Sequence, residues 1–464
     1  MPPAPSEPEN LDTWERELLK EVRRTVKEVW KIAGQPKHVL LAVDGVVPMA
    51  KIRQQRVRRF KSAWLRQRTN ATEAGWDSNA ITPGTAFMEK LTRELEDLAK
   101  DQGRGWRVSG ILEPGEGEHK IMRFLREVKT PSIIYGLDAD LILLSMLVGE
   151  ETRTPLWLLR EKQEFGGKMI TDAGGEQEYT FMNLDEFKGR LGVRGQQEAF
   201  NYVALMSLMG NDFLPHSLTH KLNDDGHDCI MSEFRAMCQK KTWLVVDRSL
   251  QLPVLLEICK RWSSGEEERM AHMVSKKREQ AQRGVGKGMD ESEGLPLEWR
   301  VEDCLANGNG KMKEGWRDEY WKWIHPCVNS DVKQEICDEY IYGCQWILNY
   351  YMGSEVNRAW MFPAWIPPLW SDMVVWLEKN TTVPNVKVED VVIQPQEQLA
   401  MVLPLDSWGL VRDKGLRRLP ALAPQMWPMK FDFFSLGRKW LWECEARVPV
   451  LTAVRLREIL REAS

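Results

Sequence analysis

Six acidic side chains stand along this chain in settings where divalent cations are commonly held. Asp44 ends the apolar run His38 to Val43 and is followed by Gly45. Glu116 and Glu118 flank a glycine in Pro114-Gly-Glu-Gly-Glu-His-Lys120. Asp138 and Asp140 form an Asp-x-Asp after Ser132 to Leu137, and Asp212 lies in Gly210-Asn-Asp-Phe-Leu-Pro-His216. Two carboxylates at i and i+2 repel strongly at low dielectric, and a hard cation such as Mg²⁺ is the usual reason to tolerate them. Six carboxylates converging on one crevice would hold two such ions, which activate water and stabilise the leaving oxygen in phosphodiester hydrolysis. Each signal also has an ordinary reading. Asp-x-Asp is a common turn after a core strand, and acids in the first turn of a helix complement its dipole. The number of acids at comparable strand ends weighs toward the metal. Asp212, at a helix C-terminus where the macrodipole disfavours an anion, needs compensation that a metal supplies. His216 and His220 have the i, i+4 spacing of a transition-metal pair, but the oxygen-rich set favours core or substrate contacts for them.

Close behind Asp44 comes a basic run. Between Lys51 and Arg68 there are eight Lys or Arg and no acidic residue. A solvated helix face is the common reading of a charge run, but such faces normally interleave Glu with their cations. At helical spacing Lys51, Gln55, Arg58 and Arg59 share one face. Forked and point-charge donors beside a glutamine suit a phosphate.

These residues must be carried by particular elements. The apolar runs before Asp44 and Asp138 read as buried strands of a parallel sheet, whose carboxyl ends open into a crevice. Leu11 to Ala33 repeats apolar residues every three to four positions and reads as an amphipathic helix. Helices are expected over Phe87 to Lys100, Ile121 to Val128 and Ala199 to Met209, with a loop and hairpin over Arg153 to Phe181. Ser263 to Pro296, rich in charge and glycine, reads as an exposed, mobile linker. The 21 Trp against 8 Tyr are unusual, and the Trp cluster after residue 298. They suggest a Trp-rich, largely helical second half. The expected organisation is a tail and helix over 1–37, a nuclease-type core over 38–225, a helical segment with the charged linker over 226–297, and the Trp-rich region over 298–464.

The 464 residues allow more than one domain, and 43% hydrophobic with 28% charged residues is ordinary for a globular protein. A net charge of −4 means that affinity for nucleic acid must come from a local patch. The 8 Cys form no C-x-x-C pair and read as reduced thiols of an intracellular protein. No apolar run approaches the length of a membrane span of roughly 20 residues.

Taken together, the motifs resemble the XRN family of 5′-to-3′ exoribonucleases. The resemblance rests on Asp44-Gly-Val-Val-Pro with Lys51 to Phe60, Asp77-Ser-Asn-x-Ile-Thr-Pro-Gly-Thr-x-Phe-Met88, Pro114 to Met122, Tyr135-Gly-Leu-Asp-Ala-Asp-Leu141, Leu158-Leu-Arg-Glu161 and Gly210 to Pro215. Gly343-x-Gln-Trp-x-Leu-x-Tyr-Tyr351, Trp360-x-Phe-Pro363 and Glu397 to Pro404 match a second shared region more loosely. The resemblance implies an α/β, PIN-like or flap-endonuclease-like core. It implies two Mg²⁺ ions, with Mn²⁺ the alternative, at Asp44, Glu116, Glu118, Asp138, Asp140 and Asp212. It also implies a 5′-monophosphate pocket from Lys51, Gln55, Arg58 and Arg59, and a 5′ base stacked on Trp360. The implied activity is processive hydrolysis of single-stranded, 5′-monophosphorylated RNA to mononucleotides in RNA decay. The family's zinc knuckle is not seen, which points to the cytoplasm, with the nucleus the alternative.

One departure sets a competing expectation. No Asp-x-Asn-Gly strand precedes Asp44, so the family's central strand and one metal ligand have no counterpart here, and Met49 stands where the family usually has Arg. Either the sequence is an incomplete version of a longer protein or it is a diverged chain with weak or lost catalysis. A catalytically impaired RNA-binding or scaffold homologue is the alternative reading, and a DNA-directed flap-endonuclease relative a third.

Overall fold

In a computed structural model the protein is described over residues 11–68, 76–163, 170–171, 177–282, 305–307, 310–325, 327–389, 391–438 and 443–463. The chain order is α1 Leu11–Ile32, β1 Val39–Ala42, α2 Met49–Arg68, α3 Ala86–Gln102, β2 Trp106–Ser109, α4 Gly117–Val128, β3 Ser132–Tyr135, α5 Asp140–Thr152, β4 Leu156–Glu161, β5 Tyr179–Asn183, α6 Leu184–Leu191, α7 Gln196–Ser207, α8 His227–Lys240, then, after two two-residue strands, α9 Leu252–Ser263 and α10 Glu266–Gln282. Longer helices beyond them are Trp316–Ile324, Ser330–Tyr351, Trp370–Leu377, Pro395–Val402 and Ala453–Glu462. The fold class is α/β with a largely helical second region.

The chain forms two compact units. One is Met1–Val47, Ala80–Val203 and Leu348–Val356; the other is Pro48–Asn79, Ala204–Ile347 and Asn357–Ser464. Helix α2 and the Asp212 loop group with the Trp-rich half, because their buried side chains pack there.

In the first unit β1 and β2 pair in parallel, from Val39↔Trp106 to Ala42↔Ser109. Strands β3 and β4 pair in parallel, from Ser132↔Leu156 to Tyr135↔Leu159, and β5 runs antiparallel on β4. The strands thus fall into two sheets, and among the described residues no ladder joins β1 to β3. Helix α5 is apolar around most of its circumference and buries Leu141, Leu144, Ser145, Met146, Leu147, Val148 and Gly149, as an interior helix must. Helix α1 buries Leu19 and is also tied by polar and aromatic contacts. Arg23 pairs with Glu94 at 3.0 Å, Lys90 reaches Glu15 at 2.7 Å, and Trp30 meets Trp106 edge to face at 5.8 Å between centroids.

In the second unit α2 is a buried axis. Ile52, Val57 and Phe60 lie in the core, and so does Arg56, whose guanidinium donates to the carbonyls of Pro449 (2.9 Å), Met401 (2.6 Å) and Met426. Arg53 donates to the carbonyls of Ala364, at 2.9 Å, and Phe362. Part of the basic run is therefore scaffold. The linker expected over 263–296 is corrected over its first half. Residues 266–282 are helical, Met270 and Val274 are buried, and Glu266, 1% exposed, accepts from the backbone N–H of Trp370 at 2.7 Å and the Ser371 hydroxyl at 2.6 Å. Residues 283–296 lie outside those described.

Candidate metal and phosphate sites

Asp44 leaves the end of β1 exposed, and its Oδ1 accepts the N–H of Gly117 at 2.6 Å, the first residue of α4. The glycines make this approach possible. Gly45 donates to the Gly115 carbonyl at 2.9 Å, and Gly115 donates to that of Val46 at 2.8 Å. A Cβ on Gly45 would lie 2.0 Å from the Glu113 carbonyl oxygen, so no side chain fits there. Lys120, buried one turn into α4, donates to the carbonyls of Val43 at 2.7 Å and Gly110 at 2.8 Å. Burial pushes its ammonium pKa down, with the nearby Glu113 and Asp44 opposing. This clamp fixes the end of β1 against the loop after β2.

Glu116 occupies the position before α4 and is 4% exposed; its Oε1 accepts the Tyr350 hydroxyl at 2.8 Å. Glu116, Glu118 and His119 offer ligand atoms that all lie within 4.8 Å of one another. His119 also packs on Tyr350, with ring centroids 3.9 Å apart. Two carboxylates with an imidazole are a fitting donor set for a divalent cation. Sequence reasoning passed over His119 and Tyr350. Both stood inside quoted motifs, His119 directly after Glu118, but nothing in their spacing marked a shared site.

Asp138 and Asp140 are positioned differently. Asp138 is exposed, and its Oδ1 accepts the N–H of Asp140 at 3.1 Å at the start of α5. Neither joins the group around Glu116. Gly136 before them packs against Leu141, whose Cδ1 would have to shift to admit a Cβ there.

The sixth acid belongs to the second unit, with the cationic face. Asn211 Oδ1 accepts the N–H groups of Phe213 and Leu214, each at 2.9 Å, and so shapes the turn that presents Asp212. Asp212 Oδ2 accepts from the Lys51 ammonium at 2.6 Å, and Oδ1 from the Gln54 amide at 3.4 Å. Gln55 is 5% exposed and its Oε1 has no hydrogen-bond partner among the described residues. Arg58 is exposed, whereas Arg59 is held by Asn79 Oδ1 at 2.7 Å and its buried Nε has no hydrogen-bond partner among the described residues. Burial, reinforced by Arg58, pushes the Arg59 pKa down to about 10. A desolvated cation beside a second cation is stabilised by an incoming anion.

Trp360 does not meet the stacking expectation in this structure. Its ring is 1% exposed, its Nε1 donates to Glu339 at 2.7 Å, and it packs against Trp346 at 5.2 Å. Gly343 admits it, since a Cβ there would lie 2.7 Å from the indole. His216 is exposed and His220 is buried in the core, and neither belongs to a metal-ligand group among the described residues. His216 Nδ1 lies 3.3 Å from the Met209 carbonyl, and His220 Nδ1 accepts the Trp370 indole N–H at 3.0 Å.

Comparison with known proteins agrees with this architecture. Residues 4–162 match the model of the XRN 5′-3′ exonuclease N-terminus, and residues 306–464 that of the Xrn1 helical domain. Human 5′-3′ exoribonuclease 1 is 26% identical over 538 aligned residues, covering 96% of this chain and 30% of that protein. Saccharomyces cerevisiae 5′-3′ exoribonuclease 2 is 30% identical over 61% of this chain and 36% of its own length. Saccharomyces cerevisiae 5′-3′ exoribonuclease 1 is 33% identical over 48% of this chain. The chain spans about a third of the length of the curated relatives it matches. An α/β unit with carboxylates at the ends of parallel strands, followed by a helical region, is the class that the fold defines. The chain belongs to the XRN family.

Proposed function

We propose that this chain is a metal-dependent 5′-to-3′ exoribonuclease that acts on single-stranded RNA bearing a 5′-monophosphate and releases mononucleotides. The observation that carries this reading is the Lys51–Asp212 contact at 2.6 Å, which joins the cationic face of α2 to one of the six acids. In this reading Lys51, Gln55, Arg58 and Arg59 bind the terminal phosphate and hold the 5′ end in register. Glu116, Glu118 and His119, with Asp44 beside them at the head of α4, hold the cation in the first unit; Asp138, Asp140 and Asp212 complete the acidic set. Mg²⁺ bound there, or Mn²⁺, would supply an activated water and neutralise charge on the leaving oxygen. No described helix is long and apolar enough to cross a membrane, and the cytoplasm is the proposed location, with the nucleus the alternative.

The test uses labelled RNA carrying a 5′-phosphate, a 5′-hydroxyl or a 5′-cap, with single-stranded and flap DNA as controls, in Mg²⁺ or Mn²⁺. Stepwise loss of 5′-phosphorylated RNA is expected, with the other ends resistant. Glu118→Gln should slow turnover by on the order of 10²–10³ through the lost carboxylate. Equal degradation of all three RNA ends would sink the phosphate pocket.

A second reading, an RNA-binding homologue without turnover, would use the same cationic face of α2 with Asp212 spent on Lys51. Binding of 5′-phosphorylated RNA without cleavage in either cation would select it.

A further inference from the structure

The stretch from Trp76 to Thr85 carries a long motif for which neither metal nor phosphate binding accounts. Its Asn79 is 6% exposed and lies in the second unit. Asn79 Nδ2 donates to the Ser407 hydroxyl at 2.8 Å, and Ser407 is 2% exposed. Asn79 Oδ1 accepts from Arg59 Nη1 at 2.7 Å. The backbone N–H of Asn79 donates to Asp77 Oδ1 at 2.9 Å, and Asp77 pairs with Arg66 at 3.4 Å. The amide has one workable orientation. A guanidinium offers donors and no acceptor, so the carbonyl oxygen must face Arg59 and the nitrogen must face Ser407. The Ser407 hydroxyl, able to donate or accept, takes the amide nitrogen and anchors Asn79 in the orientation that the arginine requires.

The consequence falls on Arg59. Asn79 ties one corner of its fork and leaves the buried Nε donor unspent among the described residues. An isolated guanidinium would swing among rotamers, whereas this one is pinned at Nη1, which fixes the plane of the fork that recognises a phosphate. Arg58, exposed on the same helix, makes no side-chain hydrogen bond among the described residues and supplies charge without that constraint.

We propose that Asn79, anchored by Ser407, is a positioning residue that holds Arg59 for recognition of the RNA 5′-phosphate. This rests on the phosphate pocket proposed above. A merely structural Asn79 would tie the loop at Ser407 to α2 and affect all ligands alike. A positioning Asn79 affects the phosphorylated end alone.

The test is fluorescence anisotropy of the intact chain in EDTA, with one labelled RNA carrying either a 5′-phosphate or a 5′-hydroxyl. Asn79→Ala should weaken binding of the phosphorylated RNA about tenfold, the worth of a charge-assisted hydrogen bond, and leave the hydroxyl RNA unchanged. Ser407→Ala should shift the same ratio in the same direction by less. In a cleavage assay of an active chain both changes should raise KM and spare kcat. Arg59→Ala serves as the reference. If Arg59→Ala collapses the ratio while Asn79→Ala leaves it intact, the positioning role is overturned and the pocket stands. If Arg59→Ala also leaves the ratio intact, the pocket itself is refuted. Should Asn79→Ala fail to fold by circular dichroism, an unchanged ratio in Ser407→Ala overturns the proposal.

Discussion

His220 shows how much one buried nitrogen decides. Its Nδ1 accepts the Trp370 indole N–H at 3.0 Å, so that nitrogen cannot also carry a proton, and its ring stacks on Trp262 with centroids 4.9 Å apart. Burial, with Arg269 nearby adding repulsion, pushes its pKa down to about 3 from 6.5. The folded chain therefore keeps His220 neutral while the unfolded chain protonates it. The stabilisation is complete above pH 6.5 and is lost as pH falls from 6.5 toward 3. Below 6.5 the expected slope approaches about 1.4 kcal/mol per pH unit. Urea midpoints between pH 7 and 5 should fall for the native chain and fall less for His220→Gln. An equal slope in both would refute the assignment. The sequence offered His216 and His220 as a pair at helical spacing. They lie in an irregular loop, so the spacing had no helix to act through.

At the scale of elements, α2 does two jobs with one charge run. Lys51, Gln55, Arg58 and Arg59 are the proposed phosphate face, while Arg53 and Arg56 turn inward to carbonyl groups. The Arg56 guanidinium is desolvated, which pushes its pKa down to about 9. Three carbonyls accept from it, and truncation leaves them buried without a donor. Arg56→Met is expected to cost about 3–5 kcal/mol in urea unfolding. A loss under about 1 kcal/mol would mean that water replaces the guanidinium. The absence of acids in this run was legible in the sequence; which cations face inward was not, because that depends on where residues 401, 426 and 449 fold back. Helix α10 teaches the converse. Its charged composition resembled a linker, but buried Met270 and Val274 and the capping contacts of Glu266 make it a packed helix.

For the molecule as a whole, the net charge of −4 forbids a general attraction to RNA, so binding must be local. In the proposed pocket Lys51, Arg58 and Arg59 all serve one terminal phosphate, so at about 0.7 per neutralised phosphate of a single strand the plot of log affinity against log salt should have a slope of about −1. Anisotropy titrations over a range of KCl concentrations check this, and a slope steeper than about −5 would require further cationic surface beyond α2.

The sequence by itself determined the local chemistry: which strands end in carboxylates, which glycines admit backbone within contact distance, and which helix lacks acids. Those features are local because they depend on residue type at fixed spacing along one element. Tertiary structure alone decided the rest. It gathered Glu116 and Glu118 with His119 and Tyr350 but left Asp138 and Asp140 at the head of α5, it closed the Trp360 ring into the core, and it set Asn79 between Arg59 and Ser407. Each of these joins residues distant in the chain or turns a side chain by packing, and no spacing along the chain encodes the side of the backbone from which a far segment arrives.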